Sequence, residues 1–216
     1  MFDLDGVLIE SEEDWERARQ QVIADLTGGA WSAEDQHLVL GANMRQCTAI
    51  MNARHPTGLD DDELGARLIA RRLELYDERL VILPGAVEAV TAAAGRYPIA
   101  IASSSPPQAI RKVLDRMAIP GLFGAIVSAD EVEFGKPAPD VYLQACERLG
   151  VDPRRSLAIE DSDPGIRAGV AAGMRVVAIP NPGYPPKPET LLLADAVLPS
   201  LKGFDPETVL AGRDAR

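Results

Sequence analysis

Cysteine, histidine and aromatic residues are scarce in this chain of 216 residues, with two cysteines, two histidines and 5% aromatic residues. Cys47 and Cys146 lie far apart in the sequence, so their spacing predicts neither a disulfide framework nor a cysteine-based metal site. They are expected to be reduced core thiols of a cytoplasmic protein. His37 and His55 form no cluster and are expected at the surface, which argues against a histidine-rich metal site.

The chain also lacks a long apolar run and an excess of basic charge. No stretch is long enough to cross a membrane, and no secretory signal is evident, so a cytoplasmic protein without a membrane partner is expected. Lys and Arg number 22 against 33 Asp and Glu, which gives a net charge of −11. Nucleic-acid binding needs a basic surface, so the charge argues against nucleic acid as a partner. The small size and acidic surface favour a monomer.

What the chain does contain begins at Met1–Ile9, which reads MFDLDGVLI. In an extended strand, residues two apart point to the same side, so Asp3 and Asp5 would face one place. Two adjacent carboxylates are unfavourable unless a cation or a proton accompanies them. A catalytic site uses such a pair, with one carboxylate as nucleophile and its neighbour handling protons. The structural alternative is a strand end followed by an Asp-Gly turn at Gly6.

This first strand is unusually short, because only Met1 and Phe2 precede Asp3. A central strand normally has five or six residues. The pattern leaves open that the native chain starts upstream of Met1.

Residues 10–82 show helical periodicity and no strand pattern. Ser11 is expected to cap a first helix that contains Trp15, and Gly28 ends it. Shorter helices are predicted at about 33–40 and 44–54, on either side of a turn at Gly41–Asn43. A long helix begins at Asp60–Asp62, where acidic residues suit the helix dipole.

From residue 83 onward, short apolar runs alternate with amphipathic helices, which predicts an α/β fold with a parallel sheet and helices on both faces. The strands are expected at 99–102, 125–128, 157–159, 176–179 and 196–198. Ser105 is expected to cap the helix that follows the first of them. The predicted architecture is a Rossmann-like core, residues 1–9 and 83–216, with an all-helical domain, residues 10–82, inserted after strand 1.

Polar residues stand at or just beyond the carboxyl ends of the predicted strands, where open parallel sheets bind ligands. Each has an ordinary explanation alone, as a helix cap or a solvated loop residue. Together they suit phosphoryl transfer, which needs a nucleophile and groups that neutralise the phosphoryl oxygens. The residues are Asp3, Asp5, Ser103, Lys136, Glu160 and Asp161.

Four motifs in this order resemble the haloacid dehalogenase-like superfamily. They are FDLDG at Phe2–Gly6, the serine of IASSS at Ser103, the lysine of GKPAPD at Lys136, and IEDSDPG at Ile159–Gly165. The helical insertion is similar to the cap of the phosphoglycolate phosphatase and beta-phosphoglucomutase-like branch. The resemblance implies a Mg²⁺-dependent phosphatase that hydrolyses a small phosphorylated metabolite, of the sugar or polyol phosphate class, through an aspartyl-phosphate intermediate.

The same resemblance implies roles for individual residues. Asp3 would be the nucleophile, Asp5 the general acid and base, and Ser103, Ser104 and Lys136 the phosphate-binding groups. Magnesium would be held by Asp3, Asp5 through its main-chain carbonyl, Glu160 and Asp161. In the cap, Trp15 and Arg45 would contact substrate, although a packing tryptophan and a surface arginine are equally consistent with the sequence.

Three other functions remain open at this stage. A phosphomutase of the beta-phosphoglucomutase type would use the same core, but its relatives carry a histidine in the first cap helix, where Trp15 stands here. A dehalogenase fits less well, because Asp5 and GKPAPD suit phosphoryl chemistry. A non-catalytic binding protein of the same fold would not need the full set of Asp3, Asp5, Lys136 and Asp161.

Overall fold

A computed structural model describes residues 1–39, 42 and 44–211, and the chain divides into two compact units. The first contains Met1–Glu10 and the chain from Val81 onward, and the second is Ser11–Leu80. The helical domain expected at 10–82 is slightly longer than the second unit. The difference arises because Glu10 pairs with Val81 in a short ladder of the first unit.

The second unit is helical throughout its described residues. Its helices are α1 (Glu12–Thr27), α2 (Ala33–Val39), α3 (Met44–Arg54) and α4 (Asp61–Glu78). Asp60 and Glu63 form a capping box at the start of α4, which satisfies two backbone N–H groups that have no partner within the helix. Ser11 occupies the N-cap position of α1, but its side chain makes no capping hydrogen bond. Leu40, Gly41 and Asn43, which include two residues of the predicted turn, lie outside the described residues.

The first unit is built on a parallel sheet. Two short strands, β1 (Ile9–Glu10) and β2 (Val81–Ile82), form a separate antiparallel ladder. The parallel strands are β3 (Ala100–Ser103), β4 (Ala125–Ser128), β5 (Leu157–Glu160), β6 (Arg175–Ala178) and β7 (Ala196–Val197). Strand β3 pairs with β4, β5 with β6, and β6 with β7, so the predicted parallel sheet is confirmed.

Phe2 joins the two halves of this sheet. It bridges Ile101 of β3 and Ile159 of β5, both in the parallel sense. Its N–H donates to Ala100 at 2.9 Å, and the next N–H, of Asp3, donates to Ile159 at 3.0 Å. The strand expected at the start of the chain is therefore reduced to a bridge at Phe2, and Asp3 leaves the sheet directly from its centre.

The first unit also contains six α-helices within its described residues. They are α5 (Ala86–Ala94), α6 (Pro107–Arg116), α7 (Asp140–Leu149), α8 (Asp163–Ala171), α9 (Pro188–Leu191) and α10 (Pro206–Ala211). Helix α7 packs on β3 and β4, and α8 packs on β5 and β6, around one apolar core. Within the described residues, no helix is both long enough and apolar enough to span a bilayer.

The expected cap of α6 by Ser105 is wrong. The helix begins at Pro107, with Pro106 at the N-cap position and no side-chain cap. Pro107, the first helical residue, has no N–H, so the start of the helix has one fewer backbone donor in need of a partner. The hydroxyl of Ser105 is used elsewhere.

Candidate active site

Four separate parts of the sequence meet at the carboxyl ends of the central strands. Asp3 follows the Phe2 bridge, Ser103 ends β3, and Glu160 ends β5 with Asp161 after it. Lys136 reaches the same place from the loop before α7. Parallel strands point their carboxyl ends to one edge of the sheet, so residues distant in sequence become neighbours there.

Lys136 is the cation at the centre of this group. Its Nζ donates to Asp3 Oδ1 at 2.7 Å, to Glu160 Oε1 at 2.5 Å and to the Ala102 carbonyl at 2.9 Å. Its side chain is only 4% exposed. Burial alone would lower the pKa of Lys136, but the carboxylates of Asp3 and Glu160 outweigh this effect and the pKa is raised. The lysine is therefore a fixed positive charge rather than a solvated loop residue.

Glu160 is completely buried and is held by protein donors on both oxygens. Its Oε1 also accepts from the Tyr142 hydroxyl at 2.6 Å. Its Oε2 accepts from the Asp161 N–H at 3.3 Å and from Ser162 Oγ at 3.4 Å. A Cβ at Gly165 would lie 1.9 Å from Oε2, so the carboxylate packs directly on the backbone at the start of α8.

Asp3, Glu160 and Asp161 form a cluster that could hold a metal ion. Each offers one carboxylate oxygen, and these oxygens all lie within 4.8 Å of one another. Burial raises the pKa of Asp3, as do the charges of Glu160 and Asp5, while Lys136 opposes the shift. Burial and the charge of Asp3 likewise raise the pKa of Asp161. The cluster thus holds more negative charge than Lys136 balances, and oxygen ligands of this kind suit a hard divalent cation.

The turn after Asp5 brings Asp161 into this cluster. Gly6 has a φ of +73°, a backbone conformation that residues with a side chain rarely adopt. A Cβ at Gly6 would lie 1.9 Å from Asp161 Oδ2. Glycine is therefore required here both for the turn and for the close approach of the Asp161 carboxylate.

Asp5 is bound differently from Asp3. Its Oδ2 accepts a hydrogen bond of 2.5 Å from Ser105 Oγ, and the Ser105 N–H donates to Ser103 Oγ at 3.0 Å. Ser103 is fully buried, whereas Ser104 is exposed. Of the carboxylates expected at the metal, Asp5 is not a member of the cluster found among the described residues. The sequence interpretation involved its main-chain carbonyl rather than its side chain.

The two expected cap residues belong to the helical unit. Trp15 is half-buried and packs against the apolar core of that unit. The guanidinium carbon of Arg72 lies 4.0 Å from the centre of its ring, and that of Arg19 lies 5.6 Å away. Arg45 is exposed near the start of α3. Their proposed contacts with substrate stay predictions.

Two residues of the site were missed by sequence reasoning. Sequence analysis did not predict Tyr142 as a site residue, and it predicted Ser105 only as a helix cap. A buried tyrosine hydroxyl usually needs a hydrogen-bond partner, and this was the one available signal for Tyr142. Nothing in the sequence links Ser105 to Asp5, because the contact joins segments that lie 100 residues apart in the chain.

Comparisons with known proteins agree with the family that the four motifs suggest. Residues 1–173 match the family model for haloacid dehalogenase-like hydrolases. Hexitol phosphatase B of Escherichia coli (strain K12) is 36% identical over 203 residues, which cover 93% of this chain and 91% of the relative.

Solved structures support the same family. CbbY from Rhodobacter sphaeroides, crystallised in complex with phosphate and, for a variant, with xylulose-(1,5)-bisphosphate, is 27% identical with a TM-score of 0.83. The match covers 93% of this chain and 92% of that one. A hydrolase of the same family from Deinococcus radiodurans R1, with bound phosphate and sodium, is 31% identical with a TM-score of 0.71. It covers 98% of this chain and 94% of its own. The family suggested by the four motifs is thereby confirmed, and the chain belongs to the haloacid dehalogenase-like hydrolases.

Proposed function

We propose that the protein is a Mg²⁺-dependent phosphatase that hydrolyses a small phosphorylated metabolite through an aspartyl-phosphate intermediate. The observation that carries this proposal is the cluster in which Lys136 Nζ lies 2.7 Å from Asp3 Oδ1, beside Glu160 and Asp161. A carboxylate next to a fixed cation can accept a phosphoryl group, because the lysine offsets the charge of both anions as they approach.

In the first half of the reaction, an oxygen of Asp3 attacks phosphorus and the ester P–O bond breaks. Asp5 donates its proton to the departing oxygen, which leaves as an alcohol. Lys136 stays bound to the Asp3 carboxylate, and Ser103 and Ser104 bind phosphoryl oxygens. The hydrogen bond from Ser105 orients the Asp5 carboxyl for this proton transfer.

In the second half, Asp5 removes a proton from water, and the hydroxide attacks the phosphorus of the aspartyl-phosphate. The bond between phosphorus and the Asp3 oxygen breaks. Inorganic phosphate leaves, the Asp3 carboxylate is restored, and Asp5 carries the proton needed for the next cycle. Asp5 thus serves as acid and then as base.

Magnesium would be held by Asp3 and Asp161 and by the main-chain carbonyl of Asp5, while the side chain of Glu160 binds Lys136. When bound, it would neutralise negative charge shared between the carboxylates and the phosphoryl group. The raised pKa values of Asp3 and Asp161 support this assignment, because crowded anions gain most from a divalent cation.

The helical unit Ser11–Leu80 would serve as the cap that selects the substrate, with Trp15 and Arg45 as contacts. Arginine suits an anionic or sugar phosphate group. The hexitol phosphatase relative favours a sugar or polyol phosphate as substrate. A phosphomutase is disfavoured, since helix α1 contains no histidine.

Phosphate release from a panel of phosphorylated metabolites, with and without Mg²⁺, tests the proposal. The panel contains hexitol phosphates, sugar phosphates, glycerol phosphates, phosphoglycolate and beta-glucose 1-phosphate. Release that requires Mg²⁺ and is abolished in Asp3→Asn is expected, because the amide cannot act as nucleophile.

Two results would contradict the phosphatase. Formation of glucose 6-phosphate from beta-glucose 1-phosphate without net phosphate release would identify a mutase. Release that is unchanged in Asp3→Asn would exclude the aspartyl-phosphate. Circular dichroism of Asp3→Asn is the control for folding.

A further inference from the structure

Tyr142 brings a hydroxyl into the acidic cluster from the buried face of α7. Its side chain is completely buried. The hydroxyl lies 2.6 Å from Glu160 Oε1, and Lys136 Nζ lies 5.1 Å from the centre of the ring. Because an ionised carboxylate can only accept, the phenol is the donor in this hydrogen bond. The phenol therefore contacts both Glu160 and the lysine that Glu160 binds.

One oxygen of Glu160 receives both of these donors. Lys136 Nζ lies 2.5 Å from Oε1, on the same atom that accepts from Tyr142. A carboxylate oxygen has about two lone-pair sites. Both sites of Oε1 are thus occupied by protein donors, so Oε1 has no further site for a metal ion.

The second oxygen of Glu160 is confined by the backbone. It accepts from the Asp161 N–H and from Ser162 Oγ. The start of α8 closes the remaining side, since a Cβ at Gly165 would lie 1.9 Å from Oε2. Glu160 is therefore oriented from two sides, by Lys136 and Tyr142 at Oε1 and by the start of α8 at Oε2.

We propose that Tyr142 is a positioning residue of this active site, whose hydroxyl turns Glu160 toward Lys136 and thereby holds Lys136 on Asp3. Glu160 then serves the lysine, and Asp3 and Asp161 are the carboxylates left for the metal. The inference rests on the proposed phosphatase function for its kinetic consequence, but its structural content can be tested separately.

The first test compares Tyr142→Phe with Tyr97→Phe. Tyr97 is a half-buried tyrosine of the same unit, whose hydroxyl lies 3.4 Å from the exposed Glu207. Loss of a hydrogen bond to a charged group is expected to reduce kcat/KM of Tyr142→Phe about tenfold or more, while Tyr97→Phe stays within about twofold. Equal activity of Tyr142→Phe and the unmodified protein would overturn the proposal.

The second test measures Mn²⁺ affinity by electron paramagnetic resonance, with Mn²⁺ as the probe in place of Mg²⁺. The affinity of Tyr142→Phe is expected to stay within about twofold of the unmodified protein, or to tighten, because no metal ligand is removed. A loss of Mn²⁺ affinity in parallel with activity would show that Glu160 is a metal ligand and would overturn the proposal.

The third test is a double-mutant cycle with Lys136→Met, read by calorimetric binding of inorganic phosphate to the Mn²⁺-loaded protein. Tyr142→Phe is expected to weaken phosphate binding when Lys136 is present and to have no further effect when it is absent. Additive effects would overturn the proposal, because Tyr142 would then act independently of Lys136. If the unmodified protein hydrolyses no substrate, the phosphatase assignment fails, but the metal and phosphate measurements still decide the role of Tyr142.

Discussion

Asp35 of the helical unit is a buried carboxylate, and Asp3 and Asp161 of the sheet unit lie in the carboxylate cluster, but the donors that surround them differ. In the helical unit, Asp35 accepts from the Ser32 N–H at 2.9 Å, from Ser32 Oγ at 2.7 Å, from His55 Nε2 at 3.1 Å and from Arg54 Nε. Burial alone would raise the pKa of Asp35, but these hydrogen bonds outweigh it and hold the pKa well below its usual range.

In the sheet unit, burial and neighbouring negative charges outweigh the hydrogen-bond donors. Asp3, Glu160 and Asp161 lie together with Lys136 as their bound cation, and the pKa values of Asp3 and Asp161 are raised. A carboxylate whose donors match its charge stabilises the fold, whereas crowded carboxylates with too few donors are unfavourable until a cation binds. The comparison therefore separates a structural aspartate from the proposed catalytic ones.

The largest expected effect is a loss of turnover when a carboxylate of the sheet unit's cluster is replaced. Asp161→Asn should reduce turnover by about 100-fold or more, because a metal-binding carboxylate is lost. The metal-free variant should be at least as stable as the unmodified protein, because one crowded anion has been removed. Mg²⁺ should raise the melting temperature of the unmodified protein and not that of the variant.

Scanning calorimetry with and without Mg²⁺, together with phosphate release, makes these comparisons. If metal-free Asp161→Asn were markedly less stable than the unmodified protein, Asp161 would be a structural residue like Asp35, and the comparison between the two carboxylate groups would fail.

The next effect concerns the helical unit. Asp35→Asn should lower the free energy of unfolding by about 2 kcal/mol, because the hydrogen bonds to a buried charge are weakened. Hydrogen exchange read on peptides from Ser11–Leu80 locates the loss. The matched control is Asp25→Asn, an exposed position on α1, which should change stability by less than about 0.5 kcal/mol. Equal behaviour of the two variants would show that the Asp35 contacts do not stabilise the unit.

The smallest effect is on the pH dependence of stability. The pKa of Asp35 is lowered in the folded state, so its contribution is fully present above the ordinary carboxyl pKa near 4 and is lost as pH falls through the folded value. The stability difference between the unmodified protein and Asp35→Asn should therefore shrink by about 1 kcal/mol from pH 5 to pH 3. Urea unfolding at both pH values measures it, and a difference that grows toward acid would reverse the assigned sign.

Much of the fold could be predicted from local patterns. The alternation of apolar runs and helices after residue 83 indicated the parallel sheet, and helical periodicity indicated α1 to α4. The β1–β2 ladder was not predicted, because two-residue strands such as Val81–Ile82 leave no periodicity to detect. The predicted first strand proved to be a bridge at Phe2, whose pairing is decided by β3 and β5 on either side.

The residues of the candidate site also divide into those that the sequence predicted and those that it did not. The motifs identified Asp3, Asp5, Ser103, Lys136 and Asp161, which lie at or beyond the carboxyl ends of strands, and the family they suggested is confirmed. Individual roles for these residues stay predictions. The partners of Asp5 and Glu160 could not be predicted, because Ser105 and Tyr142 reach them through contacts between elements far apart in the sequence.

The sequence by itself determined the family, the parallel sheet with its flanking helices, and the residues of the four motifs. Motif spacing and hydrophobic periodicity are properties of neighbouring residues, and one chain is enough to show them. Only the tertiary structure decided that Lys136 is buried between Asp3 and Glu160, that Tyr142 shares an oxygen with it, and that Gly6 and Gly165 make room for two carboxylates. Distances and burial depend on how distant segments pack, and that packing is set by the whole core rather than by any one stretch.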